Sequence, residues 1–183
     1  MIPDGEECFQ LLNRYAVPEN VIEHSRMVLR VAKLLCRELN LRGEVMDPSL
    51  VQAASLLHDI AKVASFQTGE NHSHAGARLL REAGFPEVAE IVRQHVAMDP
   101  GMDHGRITEA VVVHYADKRV KHDAVVSLGE RFQDLKGRYG KSPEARARLD
   151  ALECQCRAME GWIFQKIPFS PGDLSATIDG ELS

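Results

Sequence analysis

The stretch Leu56-Leu57-His58-Asp59-Ile60-Ala61-Lys62 constrains this chain more than any other. It sets an imidazole and a carboxylate side by side inside an otherwise apolar run. Such a run is expected to be buried, and an unpaired buried charge is heavily penalised. A divalent cation would satisfy both side chains at once, because His and Asp suit borderline or hard metals such as zinc, iron or manganese. Adjacent residues of a helix project about 100° apart, so the pair can approach one ion from two sides. Taken alone, the dipeptide is better explained as a pair that caps or bridges core helices. The rest of the chain decides between the two.

That rest reads as helices. Glu6 to Ala16 carries Phe9, Leu12 and Ala16 on one face. Pro18 suits a first helical position, and from there to about Asn40 the residues Val21, Val28, Val31, Ala32, Leu35 and Leu39 recur at helical spacing, with His24 on the same stripe. Asp47-Pro48 is a cap and first-turn pair that opens the helix expected to carry His58-Asp59. Further helices are expected from His72 to Ala83, stopped by Gly84, and from Pro86 to about Val96. Met98 to Gly105 reads as a loop. Ile107 to about His122 reads as a buried helix, with Asp117 midway. Ser127-Leu128-Gly129-Glu130 has the form of a capping box for a helix ending near Gly140, and Ser142-Pro143-Glu144 opens the last long helix. There is no strand alternation, internal repeat or Gly-rich phosphate loop. The expectation is an all-α, single helical domain of about seven or eight helices over residues 1–168, its core at about 18–140, with a flexible C-terminal tail at 169–183.

Composition narrows the function. The net charge of −5 argues against a general nucleic-acid binder and a duplex partner. The charge is uneven, since Asp117 to Arg148 holds nine Lys/Arg against five Asp/Glu; such a region attracts small anions, although a solvated helix surface is the commoner explanation. No run approaches the roughly 20 apolar residues of a membrane span, and the acidic start Met1-Ile2-Pro3-Asp4-Gly5-Glu6-Glu7 is unlike a signal peptide. The chain is therefore read as soluble and cytoplasmic. Four Cys do not make a disulfide framework. Cys8 and Cys36 look like small core residues, and Cys154 and Cys156 would sit about 200° apart on a helix, facing opposite sides.

The informative pattern is where the ionisable residues fall. His24, His58-Asp59, His72 or His74, His95 and Asp117 lie on five successive elements, each amphipathic or buried. A lone His on an apolar face is usually a hydrogen-bonded core residue, but several together with two Asp are explained jointly by metal ligation. This ordered set resembles the HD-domain metal-dependent phosphohydrolases. The match runs His24…His58-Asp59…Asp117, with Ile60-Ala61-Lys62 after the dipeptide and Tyr115-Ala116-Asp117-Lys118 around the final Asp. His72-Ser73-His74-Ala75-Gly76-Ala77 is similar to the extra His motif of two-metal subfamilies, in which His precedes Gly by four positions, and Arg93-Gln94-His95-Val96 resembles the second extra His. Within the superfamily the nearest resemblance is to bacterial proteins that include symmetrical dinucleoside tetraphosphate hydrolases. Lys118-Arg119-Val120-Lys121-His122 departs from those enzymes, and Ser127-Leu128-Gly129-Glu130-Arg131-Phe132 looks more like uncharacterised bacterial HD proteins.

The resemblance implies that His24, His58, Asp59 and Asp117 hold one divalent metal ion (Fe, Mn, Zn, Co or Ni), and that His72 and His95 hold a second with Asp59 bridging. It implies a metal-activated hydroxide that cleaves a phosphate ester or anhydride of a nucleotide, a small phosphorylated substrate, in a chain that is a monomer or a homodimer. Lys62 is a candidate for catalysis and phosphate contact, and His74, Lys118, Arg119 and Arg26 for substrate binding, each against the default of exposed surface. His104 suits a loop at the site entrance or in solvent, His114 a supporting partner or a packed core residue, and His122 the surface. A di-iron oxygenase and a non-catalytic nucleotide-binding module are the alternatives.

Overall fold

The computed structural model describes residues 1–99 and 106–180. Ten helices and one two-stranded ribbon make up the described residues. α1 (Gly5–Arg14) opens on a capping box between Asp4 and Glu7, which satisfies backbone N–H groups that the first turn leaves unpaired. α2 (Glu19–Asn40) is the long central helix, burying Val28, Val31, Ala32 and Leu35 along one side. α3 (Pro48–Leu57) starts where Asp47 accepts from the N–H groups of Ser49 and Leu50. α4 (Lys62–Thr68) ends at Gly69, whose φ of 71° only glycine adopts freely. α5 (His72–Glu82), α6 (Pro86–Gln94) and α7 (Glu109–Lys118) follow. β1 (Val120–Lys121) and β2 (Ala124–Val125) form a hairpin, and α8 (Leu128–Tyr139), α9 (Pro143–Phe164) and α10 (Leu174–Gly180) complete the chain. α2 packs on α3 and α7, α5 lies along α6, and α3 also touches α6. These helices therefore surround one apolar core.

The all-α expectation holds, with more and shorter helices than the periodicity suggested. The helix that opens at Pro48 stops at Leu57, and His58 to Ala61 form a turn before α4 begins. α6 ends at Gln94 rather than Val96. α7 ends at Lys118, so Asp117 sits in its last turn and not midway. The expected helical run to His122 is instead the ribbon, where the N–H of Val126 donates to the carbonyl of Arg119 at 2.8 Å. The turn between its strands puts His122 at a φ of 56°, a left-handed conformation uncommon outside glycine. His104, with most of the expected loop around it, lies outside the described residues.

The stretch after Pro168, expected to be flexible, forms a single 3-10 turn at Pro171–Asp173 and then α10. Leu174 and Ile178, one helical turn apart, are both buried, and Arg30 of α2 donates to the carbonyl of Ile178 at 3.2 Å. Leu174→Ala should lower unfolding stability by about 2–4 kcal/mol in urea titration, the usual cost of emptying a packed leucine site. A loose tail would leave the midpoint unchanged.

Candidate metal centre

Three helices point their C-terminal ends at one place. His58 is the C-cap of α3 and His95 the C-cap of α6, and Asp117 lies at the end of α7. Helix C-termini carry partial negative charge, so their convergence favours a cation between them. The two caps use the same local device. His58 Nδ1 bonds the carbonyl of Ser55 at 2.8 Å, and His95 Nδ1 bonds the carbonyl of Val92 at 2.6 Å. A carbonyl only accepts, so each Nδ1 carries the proton and each Nε2 presents a lone pair inward. His24, on α2, is held likewise: its Nδ1 donates to the carbonyl of His122 at 2.8 Å. Metal-binding histidines are oriented in this manner.

The inward atoms form two groups. His24, His58 and Asp59 offer ligand atoms within 4.8 Å of one another, and so do Asp59, His72 and His95. Asp59 belongs to both. Its Oδ2 lies 3.4 Å from His58 Nε2, while its Oδ1 lies 3.3 Å from His72 Nε2 and 3.6 Å from His95 Nε2. Asp117 closes the first group, with Oδ1 3.0 Å from His24 Nε2 and 3.8 Å from His58 Nε2. His72 and His95 bring their Nε2 atoms to 3.1 Å. His58 Nε2 is buried and has no hydrogen-bond partner. An orphaned lone pair among carboxylates is what a metal ligand looks like in its protein setting, and the donor set of neutral imidazole and carboxylate fits a divalent metal.

Electrostatics agree. Burial works against charge on Asp59, yet His58, His72 and His95 around it hold its carboxyl well below the usual range. Asp117 is likewise held low against burial, chiefly by Lys118 and His24. Burial also opposes a charged His58, but Asp59 and Asp117 outweigh it and raise its pKa, so positive charge is favoured at this point of the core. Burial pushes His95 down to about 4, leaving its ring neutral and able to donate a lone pair.

With this geometry in view, comparison with known proteins is decisive at the family level. A model of the HD domain matches residues 21–121, which contain all six side chains of the cluster. The chain belongs to the HD domain family. It is 31% identical over 147 residues to an uncharacterised protein of Methanocaldococcus jannaschii, covering 73% of this chain and 86% of that one. It is 36% identical over 92 residues to Ribonuclease Y of Aquifex aeolicus, covering 50% of this chain and 16% of that protein. With Ribonuclease Y of Thermus thermophilus it shares 34% over 141 residues, 76% of this chain and 21% of that one. The chain thus spans a small part of these nucleases' length. The solved structure of a predicted HD superfamily hydrolase from an uncultured Thermotogales bacterium shares the fold, with a TM-score of 0.50 at 20% identity over 88% of this chain and 94% of that one.

Within this HD domain the structure brings His24, His58, Asp59, His72, His95 and Asp117 together. His74 is exposed and outside the cluster. Gly76 accounts for the close seat of α5: a Cβ there would meet Val92 Cγ1 at 3.2 Å and Ile60 Cγ2 at 3.3 Å. Lys62 is at the cluster, its Nζ 2.6 Å from Asp59 Oδ2. Two candidates for substrate binding are spent elsewhere. Lys118 is buried, donating to Asp117 Oδ2 at 2.5 Å and to the carbonyl of His95 at 3.0 Å. Arg119 is buried too, donating to the carbonyls of Val126 and Pro171 and to Tyr115 Oη, so it ties α7 to the ribbon and the C-terminal turn. Arg26 is exposed and paired with Glu19. A cavity of about 850 Å³ lined by Arg30, Leu34, Leu41, Val51 and Ile178 shares no residue with the cluster.

Two contributors were not visible in the sequence. The carbonyl of His122 carries no residue-type signal, and only its turn conformation delivers it to His24 while the side chain faces solvent. Arg131 places Nη2 3.8 Å from Asp117 Oδ1; the segment Ser127 to Phe132 that contains it carries a resemblance but assigns it no role.

His114 packs beneath the cluster, between the carbonyl of Gln94 and Cys156 Sγ. Burial, helped by the charge of Lys118, pushes its pKa from 6.5 down to about 3. Between those values the unfolded chain binds a proton that the folded chain refuses, so stability falls as pH drops through this window. His114→Gln should lose less stability than the parent between pH 7 and pH 5, by about 2 kcal/mol in urea unfolding at the two pH values. Equal losses would mean that His114 is not held neutral.

Proposed function

We propose that this HD domain is a divalent-metal-dependent phosphohydrolase that cleaves a phosphate ester or anhydride of a nucleotide. The observation that carries the reading is the pair of three-donor groups sharing Asp59, with the partnerless His58 Nε2 at their centre. His24, His58, Asp59 and Asp117 would hold one ion, and Asp59, His72 and His95 a second. Divalent ions in such a pair supply an acidified water nucleophile and neutralise phosphoryl oxygens.

The chain's own residues supply the rest. The carbonyls of Ser55, Val92 and His122 fix three imidazoles in the tautomer that presents Nε2. Asp117 turns one oxygen to Lys118 and the other to His24, while Asp59 turns Oδ2 to Lys62 and His58 and Oδ1 to His72 and His95. Burial works against the Lys62 ammonium, but Asp59 and Asp117 raise its pKa. A proton held that firmly suits charge neutralisation of a phosphoryl oxygen better than proton transfer.

The names of the two Ribonuclease Y relatives favour a second substrate class, the phosphodiester of RNA. The chain is similar to them over 92 and 141 residues, so the same chemistry on an internucleotide bond is the competing reading.

Metal content and product release test both. The protein is stripped, reloaded separately with manganese, cobalt, nickel, zinc and ferrous iron, and offered nucleoside monophosphates, cyclic nucleotides, dinucleoside polyphosphates and short RNA. The expected result is two ions per chain in the parent, one in His95→Ala and none in Asp59→Ala, with phosphate release in Asp59→Ala reduced at least about a hundredfold. Equal metal loss in the two variants would refute the division into two groups. Cleavage confined to RNA would move the assignment to the second class, and oxygen uptake with iron and no phosphate release would replace hydrolysis by oxidation.

A further inference from the structure

Arg131 stands beside the first metal group, ion-paired to two carboxylates but hydrogen-bonded to neither. It lies on α8 three residues after buried Leu128 and next to buried Phe132, so its stem is carried onto the core-facing side of the helix. Its side chain is 12% exposed. It faces Asp117 at 3.8 Å and Asp134 at 3.7 Å, and makes a hydrogen bond to neither. Its Nε is buried without any partner among the described residues. Asp134 Oδ2, buried without a hydrogen bond, has Arg131 Nη1 at 3.7 Å, but both carboxylates have other cationic or imidazole partners. Asp117 Oδ2 accepts from Lys118 Nζ at 2.5 Å and its Oδ1 lies 3.0 Å from His24 Nε2, while Asp134 Oδ1 pairs with Arg138 at 3.0 Å and Lys121 at 3.7 Å.

A guanidinium has five N–H donors in a planar fork; here Nε is buried without a partner and both Nη groups meet carboxylates only at ion-pair distance, which is costly unless something else takes the donors. Its location says what that is. Arg131 lies beside Asp117, in the first metal group, and its charge opposes the rise in pKa of Lys62, so the two cations share one field. Lys62 approaches from Asp59 and Arg131 from Asp117. Two cations flanking a metal cluster, one of them a free fork, match a tetrahedral oxyanion. Arg131 lies beyond residues 21–121 matched by the family model.

We propose that Arg131, beside Asp117 as Lys62 is beside Asp59, binds the phosphoryl oxygens of the substrate and sets its position at the cluster. The proposal rests on the hydrolase reading for the identity of the anion, a phosphoryl group. It makes Arg131 a binding residue that touches substrate and leaves the metal ligands to the six side chains above.

The test compares the parent, R131Q and R131K for bound metal and for affinity toward inorganic phosphate, with and without added manganese. R131K keeps the positive charge beside Asp117 and Asp134, so it guards against a folding defect in R131Q; circular dichroism and the unfolding midpoint check both. The expected result is unchanged metal content in all three, phosphate affinity reduced about 10- to 100-fold in R131Q, as for loss of a charged hydrogen-bonding fork, and an intermediate loss in R131K. Phosphate affinity equal in parent and R131Q overturns the proposal, leaving Arg131 a counter-charge. Metal loss in folded R131Q also overturns it, because Arg131 would then act through Asp117. If the parent binds no metal, the hydrolase reading fails; the difference in phosphate affinity between metal-free parent and R131Q still decides the role of Arg131, its presence supporting the clamp and its absence removing it.

Discussion

Everything in the cluster depends on an imidazole N–H donated to a backbone carbonyl. In His58 and His95 that carbonyl belongs to the same helix, three residues back. The bond therefore does two things at once. It satisfies one of the carbonyls that a helix end leaves without a partner, and it fixes which ring nitrogen faces inward. Termination of the helix and orientation of the ring are one event. This is why α3 stops at Leu57 and α6 at Gln94, although the apolar pattern continues beyond both. The cost of burying two carboxylates nearby is offset by Lys62 on Asp59 and Lys118 on Asp117, each leaving the other oxygen to face imidazoles.

The fold and the identity of the cluster were legible in the sequence for a simple reason. Helical stripes such as Val28-Val31-Ala32-Leu35 are read at a fixed period, and each polar interruption of a stripe, as at His24, demands a partner. The choice of His72 over His74 followed from the four-residue spacing to Gly76, where the close approach of Val92 and Ile60 leaves no room for a side chain. What periodicity could not show was where a helix ends when the capping residue is itself buried. His58, His95 and Asp117 were placed within helices, and they lie at or next to the ends. The ribbon was hidden because Val120 to Val125 has too few residues to show alternation. The C-terminal stretch was judged by its Gly, Ser, Pro and Asp content, whereas the decisive signal was the i, i+4 pair Leu174 and Ile178.

Backbone contributions set a second limit to legibility. The His122 carbonyl reaches His24 because a two-residue turn adopts a left-handed conformation at a non-glycine position. Such a residue costs about 1 kcal/mol or more where the surroundings do not compensate. Here the compensation is on the other side of the bond: an imidazole in the core gains the partner it needs. The strain of the turn and the orientation of His24 are therefore linked, and β1 and β2 matter as the frame that holds this carbonyl against α2.

The same reasoning separates the two halves of the cluster. In the first group His24 and His58 are anchored through Nδ1, buried, and backed by Asp117 at the end of α7. In the second, His95 is anchored in that way but His72 is not; no carbonyl among the described residues holds its Nδ1, and its side chain is 29% exposed at the first position of α5. An unanchored ring must lose its rotational freedom on binding an ion, which an anchored one has already done. A cation between His72, His95 and Asp59 would consequently be held less tightly than one between His24, His58, Asp59 and Asp117. The exposed side of the pair would then also be the side from which ions exchange, while the buried side would keep its geometry.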